Sequence, residues 1–225
     1  MNPAQLFDAL IQFGPDLWKA TTDTFLMVGV TLIAAVALGG PLGIFLYCTS
    51  PGGLFPRPAL NRIASYLVNV LRSFPFIILL VLLIPFSRIV VGTSIGPRAA
   101  AVALSFAVIP YFARLVEQNL REVPRGMVDM ARACGATPLQ IITRVLVPES
   151  LPAVLGSLTV TATGFIAYSA VAGAVGAGGL GDLAIRYGYY RFETAVMIWC
   201  VIIMFVLVQC TQLLGDWLVR RSDRR

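Results

Sequence analysis

The chain has 225 residues, of which 58% are hydrophobic and only 12% are charged, and its formal net charge is +6. A soluble domain carries about 25% charged residues, so this composition excludes an ordinary soluble fold and predicts an integral membrane protein. The absence of histidine removes the usual general base and the commonest metal ligand, which excludes Cys/His and Ser/His catalytic sites. We therefore expect neither a catalytic site nor a metal site.

Stretches without charge predict the membrane-spanning helices, because a span needs about 20 apolar residues. Three stretches are long and uncharged. A fourth is accepted as a span if the side chain of Arg72 snorkels to the membrane interface. A fifth is also accepted, although arginines bracket an apolar core that is shorter than usual. In chain order, the predicted spans lie within 24–56, 67–86, 99–113, 150–181 and 194–215. Pro75 and Pro85 predict a bend in the second of them. The predicted fold is all-α, with five transmembrane helices.

The unequal division of Arg and Lys between the predicted loops indicates the orientation. If the N-terminus is external, the outer segments hold only Lys19, Arg88, Arg98, Arg186 and Arg191. The inner segments then hold Arg57, Arg62, Arg72, Arg114, Arg121, Arg125, Arg132, Arg144, Arg220, Arg221, Arg224 and Arg225. We expect an external N-terminus, a cytoplasmic C-terminus and no nucleic-acid partner. No cleavable signal peptide is expected, since a basic start followed by a compact apolar core is absent.

The motifs for binding nucleotides are missing or out of context. No G-x-x-x-x-G-K-[ST] loop occurs, so the chain is not expected to bind ATP by that route. The sequence GAGGLG, residues 176–181, matches G-x-G-x-x-G, but no predicted strand precedes it, and a tight turn is favoured over a dinucleotide site. No predicted span has a carboxylate in its interior, whereas ion-driven carriers keep such groups for coupling. Energy for uphill transport would therefore come from another subunit.

A polar segment, residues 122–150, interrupts this apolar chain. Pro124 at the first helical position and Gly135 as a left-handed cap would bound one short helix. The sequence TPLQ, residues 137–140, is a capping-box pattern that starts a second helix, which is expected to end before Pro148. Two short helices joined by a sharp corner can insert into a groove of a partner. From the residues alone, a hairpin lying on lipid headgroups stays open as the alternative.

Each of the two predicted helices carries an apolar stripe at spacings of three and four residues. The stripes consist of Met127, Ala131 and Cys134 in the first helix, and of Leu139, Ile142 and either Val145 or Leu146 in the second. Charged residues cover the remaining surface.

The polar segment resembles the coupling loop of ABC importer permeases. The pattern of that loop begins with E-A-A and has a glycine six residues after the Glu. Nine further residues separate this glycine from a closing I-x-L-P. Asp129, Met130 and Ala131 occupy the E-A-A positions, Gly135 is the glycine, and VLVP, residues 145–148, closes the pattern. The resemblance extends along essentially the whole chain. Three stretches are similar to the membrane subunit of methionine-uptake importers: residues 71–96, 131–141 and 168–181.

This resemblance implies a type I ABC importer permease fold, with residues 1–225 as one transmembrane domain and residues 122–150 as its cytoplasmic coupling loop. It implies a homodimer of this chain, two cytoplasmic ATPase subunits that hold ATP and Mg, an extracytoplasmic substrate-binding protein, and a place in the bacterial inner membrane. The chain itself is expected to bind no cofactor. The implied function is the uptake of a small amino acid, with methionine as the first candidate.

Two groups of site residues are predicted, the first from this resemblance and the second from the spans that surround the coupling loop in sequence and would move with it. The predicted ATPase-coupling residues are Asp129, Ala131, Ala133, Gly135, Ala136, Pro138, Leu139 and Pro148. The predicted translocation path is lined by the second to fifth spans, at Pro75, Phe76, Thr161, Tyr168 and Ser169. For each hydroxyl in the path, a bond to its own helix is the open alternative.

The remaining predictions concern a pair of glycines and the alternative functions. The G-x-x-x-G spacing within residues 39–43 permits close helix approach, and packing inside the monomer is favoured over a dimer contact. An importer of another amino acid or small ligand is the main alternative function. A stand-alone carrier is disfavoured by the coupling pattern, and a membrane enzyme by the lack of histidine and paired carboxylates.

Overall fold

The computed structural model describes residues 3–223, with side chains from Leu6 onward; Arg224 and Arg225 of the basic tail lie outside the described residues. This part of the chain forms eleven α-helices and no β-strand, as predicted. They are α1 (Pro3–Ala34), α2 (Gly40–Thr49), α3 (Pro58–Ser73), α4 (Phe76–Leu82), α5 (Ile84–Val91), α6 (Pro97–Arg121), α7 (Arg125–Ala133), α8 (Pro138–Ile141), α9 (Val147–Gly173), α10 (Gly179–Leu183) and α11 (Thr194–Ser222). Three π-helical segments, Ala35–Gly39, Ile142–Leu146 and Ala184–Tyr189, follow α1, α8 and α10.

Four helical runs among the described residues are long and apolar enough to cross a membrane. They are Leu6–Thr49, Pro97–Arg121, Pro138–Gly173 and Thr194–Ser222, and a fifth is reached if the bent pair α3 and α4 counts as one span. Large apolar side chains such as Ile33, Leu38 and Phe205 are exposed on these runs. An exposed apolar surface of this extent is expected where the surrounding solvent is lipid.

The first run begins well before the uncharged stretch that predicts it. Helix α1 already includes the charged residues before position 24, and Pro15 does not interrupt it. Trp18 is 72% exposed on this helix, whereas Leu17 and Ala20 are buried. The N-terminal segment is therefore a helical extension of the first predicted span.

The second predicted span, residues 67–86, is broken. Helix α3 ends at Ser73, and Pro75 with ψ of 130° precedes the first residue of α4. Pro85 lies in the first turn of α5, where its missing N–H is tolerated. The predicted bend at the prolines is confirmed, but it is a break between helices rather than a curve within one helix.

The described chain divides into two compact units. The first unit comprises residues 3–33, 74–107 and 162–212. Its core is formed by Leu17, Ala20, Leu180, Leu183, Ala184, Val196 and Cys200. Within it, the glycine-rich stretch 176–181 forms the tight turn predicted for it, with positive φ at Gly176, Gly178 and Gly179.

The second unit comprises residues 34–73, 108–161 and 213–223. Its core centres on Leu46, Val68 and Ala113, from α2, α3 and α6. Gly39 and Gly43 face α6 so closely that a Cβ at Gly43 would lie 2.5 Å from the carbonyl oxygen of Ala113. The predicted role of this G-x-x-x-G spacing, packing inside the monomer, is confirmed.

Candidate functional site

The polar segment forms the predicted corner. Helix α7 ends at Ala133, and Gly135 adopts the left-handed conformation with φ of 77°. At the start of α8, the backbone N–H of Thr137 donates to Oε1 of Gln140 at 2.8 Å, and the N–H of Gln140 donates to Oγ1 of Thr137 at 3.4 Å. This reciprocal pair is the predicted capping box. Pro124 differs slightly from its prediction, since it precedes the first helical residue.

The prediction that the second helix ends before Pro148 is wrong. The helix continues through the π-helical segment Ile142–Leu146 into α9, giving one run of 36 residues, Pro138–Gly173. The N–H of Val147 donates to the carbonyl of Ile142, five residues back. This wider turn lies directly before Pro148 and gives the proline ring room that an α-helical turn lacks. The corner thus has one short arm and one arm that extends into a long helix.

The apolar residues of the corner separate into a buried and an exposed set. Val128, Ile141 and Leu146 are buried, and they anchor the corner to the second unit. Met130 and Leu139 are 64% and 70% exposed. Of the residues in the predicted stripes, Cys134 and Leu139 are exposed, whereas Val128, which the stripes did not include, is buried. Two large apolar side chains are left for a partner to cover.

The predicted coupling residues mostly lie on the open side of this corner. Asp129, Ala133, Gly135, Pro138 and Leu139 are exposed, while Ala131 and Ala136 are half-buried. Pro148 is exposed, but it belongs to the first turn of α9, beyond the π-helical segment. The structure therefore gathers seven of the eight residues at the corner and places the eighth on its long arm.

A buried ion-pair network on α6, which none of the sequence-based predictions included, lies in the second unit. Glu117 of α6 is 1% exposed. Arg114 donates through Nη1 to Oε2 of Glu117, and Arg121 donates through Nη2 to Oε1 at 2.7 Å. Arg114 also donates to Oδ1 of Asn69 in α3 at 2.9 Å. The spacing R-x-x-E-x-x-x-R, which places all three charges on one helix face, was the available signal.

The charge network also revises an argument made from the sequence. The predicted span 99–113 contains no carboxylate, but the helix that realises it continues to Arg121 and includes Glu117. Both oxygens of Glu117 are occupied by arginine partners of its own helix. A carboxylate held in this way has a structural role, and the geometry does not resemble an ion-coupling site open to a pathway.

The predicted path residues are divided between the two units. In the first unit, the rings of Phe76 and Tyr168 lie 4.9 Å apart, and Phe165 meets Tyr168 edge to face at 5.2 Å. Tyr168 is 43% exposed, and Pro75 caps the helix that carries Phe76. The structure therefore brings Pro75, Phe76 and Tyr168 together into an aromatic group with an accessible surface.

The two small hydroxyls predicted for the path are engaged with their own helix. Ser169 donates to the carbonyl of Ile166 at 2.7 Å, and its residue is 2% exposed. Thr161, in the second unit, donates to the carbonyl of Ser157 at 2.7 Å and is fully buried. These bonds favour the alternative left open by the sequence, a local structural role.

The chain is similar to known proteins along most of its length. Residues 39–225 match the family described as binding-protein-dependent transport system inner membrane component. The probable D-methionine transport system permease protein MetI of Vibrio cholerae is 49% identical over 209 residues, which cover 93% of each chain. The methionine import system permease protein MetP of Bacillus subtilis is 41% identical over 210 residues, 93% of this chain and 95% of the relative. An inward-facing structure of the MetNI methionine ABC transporter aligns with a TM-score of 0.90 at 41% identity, covering both chains completely.

Proposed function

The chain belongs to the binding-protein-dependent transport system inner membrane component family, and from this premise we propose that it is the membrane-spanning subunit of an ATP-driven methionine importer. It is a multi-pass protein of the bacterial inner membrane. We propose that its N-terminus is external, its C-terminus cytoplasmic, and that the broken pair α3 and α4 supplies the fifth span.

The observation that carries the proposal is the corner at Gly135. Its left-handed glycine, its capping box and its exposed Met130 and Leu139 stand at the spacing of an importer coupling loop. We propose that this corner inserts into a groove of an ATPase subunit. The exposed coupling residues, with Ala131 and Ala136, would form the contact, and Pro148 would help to set the direction of the long arm.

The proposed assembly contains two copies of this chain, two ATPase subunits and an external binding protein. ATP and Mg would be held by the ATPase subunits, and this chain would bind no cofactor. ATP binding must favour one transport state by contacts that differ between the states, and the corner is where those contacts would act. The continuous run Pro138–Gly173 would move as one rod, which suits rigid-body rocking between inward-open and outward-open states.

The aromatic group around Tyr168 is the proposed contact for the substrate side chain. Phe76 and Tyr168 present accessible ring surface, and a thioether sulfur interacts favourably with aromatic rings at about 5 Å. A path of this kind suits methionine, and the names of the relatives support that substrate. Pro75 would place Phe76, and Thr161 and Ser169 would support the helix from within.

The test is methionine uptake together with recovery of the ATPase. The chain is expressed with its ATPase and binding protein in cells that lack methionine uptake, and labelled L- and D-methionine entry is measured. Gly135→Trp should abolish uptake and the copurification of the ATPase. Gly92→Trp is the matched control, because Gly92 also has φ of 77° and open space at its Cβ position, so that both variants carry the same backbone strain of about 1–2 kcal/mol.

Two results would contradict parts of the proposal. If the wild-type chain purifies without an ATPase and supports no uptake, the importer function is wrong. If uptake depends on Gly135 but labelled methionine is not carried while another amino acid is, the function stands and the substrate changes.

A further inference from the structure

A cavity of about 260 Å³ lies beside the corner, within the second unit. Three segments form it: the turn after α2, the end of α6, and α7. Its lining residues are Tyr47, Ser50, Pro51, Gly52, Gly53, Leu54, Arg121, Val123, Arg125, Val128, Asp129 and Arg132. One water molecule occupies about 30 Å³ in the liquid, so the cavity has room for a group of several heavy atoms.

The charge of this cavity is strongly positive. Three arginines, Arg121, Arg125 and Arg132, line it, against the single carboxylate of Asp129. The turn on the opposite side adds no acidic side chain. An excess of guanidinium groups around a cavity of this size predicts an anionic ligand.

The arginines have donors to offer such a ligand. Arg121 gives one bond to Glu117, and its side chain is 51% exposed, while a guanidinium carries five N–H donors. Nη1 of Arg132 lies 3.8 Å from Oδ1 of Asp129, which is too long for a hydrogen bond, and an exposed pair of this kind contributes little.

The turn that faces the arginines keeps the cavity open. Gly52 has φ of 85°, and Nη2 of Arg125 lies 3.7 Å from the position that a Cβ at residue 52 would take. The N–H of Gly53 donates to the carbonyl of Ser50 at 2.9 Å, which closes the turn. A glycine is needed for this backbone conformation, and it also leaves the guanidinium side of the cavity clear.

We propose that this cavity binds a phosphate group, and that the group belongs to an anionic phospholipid of the cytoplasmic leaflet. Guanidinium groups bind phosphate through paired N–H donors. Two candidate membrane-spanning runs end at the cavity lining, one at Thr49 beside Ser50 and one at Arg121, and headgroups are expected near the ends of spans. Basic pockets between helices at the cytoplasmic surface are a known form of headgroup site. The alternative source of the same group is a soluble phosphate compound.

The site would connect the lipid to the corner. Arg125, Asp129 and Arg132 lie on one face of α7 at positions i, i+4 and i+7. A phosphate bound there ties α7 to α6 and to the turn after α2. If the corner drives transport, anionic lipid would hold it in place and raise the amount of substrate carried per ATP. This consequence rests on the proposed function, and the choice of leaflet rests on the orientation proposed with it, whereas phosphate binding itself depends on neither.

The experiment measures binding directly on the purified full-length chain in detergent. Native mass spectrometry follows titrations with phosphatidylglycerol, with phosphatidylcholine and with inorganic phosphate. We expect phosphatidylglycerol to bind in preference to phosphatidylcholine. The double variant Arg125→Gln, Arg132→Gln should bind it at least about tenfold more weakly, since it loses hydrogen bonds to a charged group. Arg62→Gln, an exposed arginine of α3 outside the cavity, is the matched control and should bind as the wild type does.

Equal binding of phosphatidylglycerol by the double variant and the wild type would overturn the site. Binding of inorganic phosphate alone, lost in the double variant, would keep the phosphate site and overturn the lipid as its source. Methionine uptake by the same variants, reconstituted with the ATPase, the binding protein and ATP in phosphatidylglycerol and phosphatidylcholine vesicles, separates the two proposals. Variant-sensitive lipid binding without any uptake contradicts only the importer function, and normal uptake with unchanged lipid binding contradicts only the site.

Discussion

At the scale of single residues, Glu117 has a buried carboxylate whose burial could not be predicted from the composition of the chain. Its carboxylate is 2% exposed and lies between Arg114 and Arg121. A buried charge pair gives little net stability relative to apolar packing, but removing one partner leaves the others uncompensated. Through Arg114 and Asn69, the same network connects α6 to α3. Loss of this network is therefore expected to change the position of α6, the helix that leads into the corner.

Replacing Glu117 by alanine should destabilise the chain by up to about 3–5 kcal/mol, because Arg114, whose side chain is only 17% exposed, would lose its carboxylate partner. The measurement is unfolding in detergent, followed by helical circular dichroism. Glu122→Ala makes the same chemical change at an exposed position just after the same helix, and we expect it to change stability by less than about 0.5 kcal/mol. If the two substitutions reduced stability equally, the loss at Glu117 would not come from the ion-pair network.

At the scale of helices, the contact between α2 and α6 depends on missing side chains. A Cβ at Gly39 would lie 2.9 Å from the carbonyl oxygen of Ile109, and one at Gly43 would lie 2.7 Å from Cβ of Val116. These neighbours belong to the backbone or lie at its base, so they cannot rotate away. The helices can approach this closely only while both positions remain glycine.

Gly43→Ala should therefore destabilise the chain by about 1–3 kcal/mol through overpacking. Gly40→Ala is the matched control in the same helix, because nothing lies within 4 Å of its Cβ position. There we expect no loss, and a gain of up to about 1 kcal/mol from the better helix propensity of alanine. Denaturation midpoints of the two variants in one detergent check the pair. A loss at Gly40 as large as that at Gly43 would contradict close packing as the cause.

A hydrogen bond to a side chain connects α10 to α1, in addition to the apolar packing between Leu17, Ala20, Leu180 and Leu183. The backbone N–H of Leu180 donates to Oγ1 of Thr24 at 3.0 Å, and both residues are buried. Thr24→Val keeps the shape but removes the acceptor, so the N–H loses its partner at a cost of about 1–3 kcal/mol.

Hydrogen exchange at Leu180 and thermal unfolding test the Thr24 bond. Thr31→Val is the control, since Thr31 is equally buried but its hydroxyl donates to the carbonyl of Met27 in its own helix. We expect faster exchange at Leu180 only in the Thr24 variant. Unchanged exchange there would mean that the rest of the turn holds α10 in place.

At the scale of the whole molecule, the distribution of arginine predicts which ends of the helices face the cytoplasm. Arg57 precedes the broken pair α3 and α4, and Thr93 follows the next helix, α5, whose eight residues are too few to cross the membrane. If the pair forms the fifth span, the two positions lie on opposite sides of the membrane. Cys134, exposed at the corner, would share the side of Arg57.

Labelling with a membrane-impermeant maleimide tests this arrangement in spheroplasts. Thr93→Cys should react in intact spheroplasts, whereas Arg57→Cys and the natural Cys134 should react only after permeabilisation. Cys134→Ser identifies the signal from the corner. Reaction of positions 57 and 93 from the same side would show that the broken pair does not cross, leaving four spans.

The features of this protein that the sequence determined by itself are those that depend on short stretches of neighbouring residues. Apolar length predicted the spans, Pro75 and Pro85 predicted a bend, and Gly135 with TPLQ predicted the corner and its capping box, because each depends on neighbouring residues alone. The roles proposed for the coupling and path residues stay predictions. What the tertiary structure decided depends on contacts between distant segments: the burial of Glu117, the close fit of Gly43 against α6, and the basic cavity beside α7. The helix that continues past Pro148 belongs with these, since the wider turn before the proline relieves the clash of its ring with the preceding turn, and Ile141 and Leu146 are buried there.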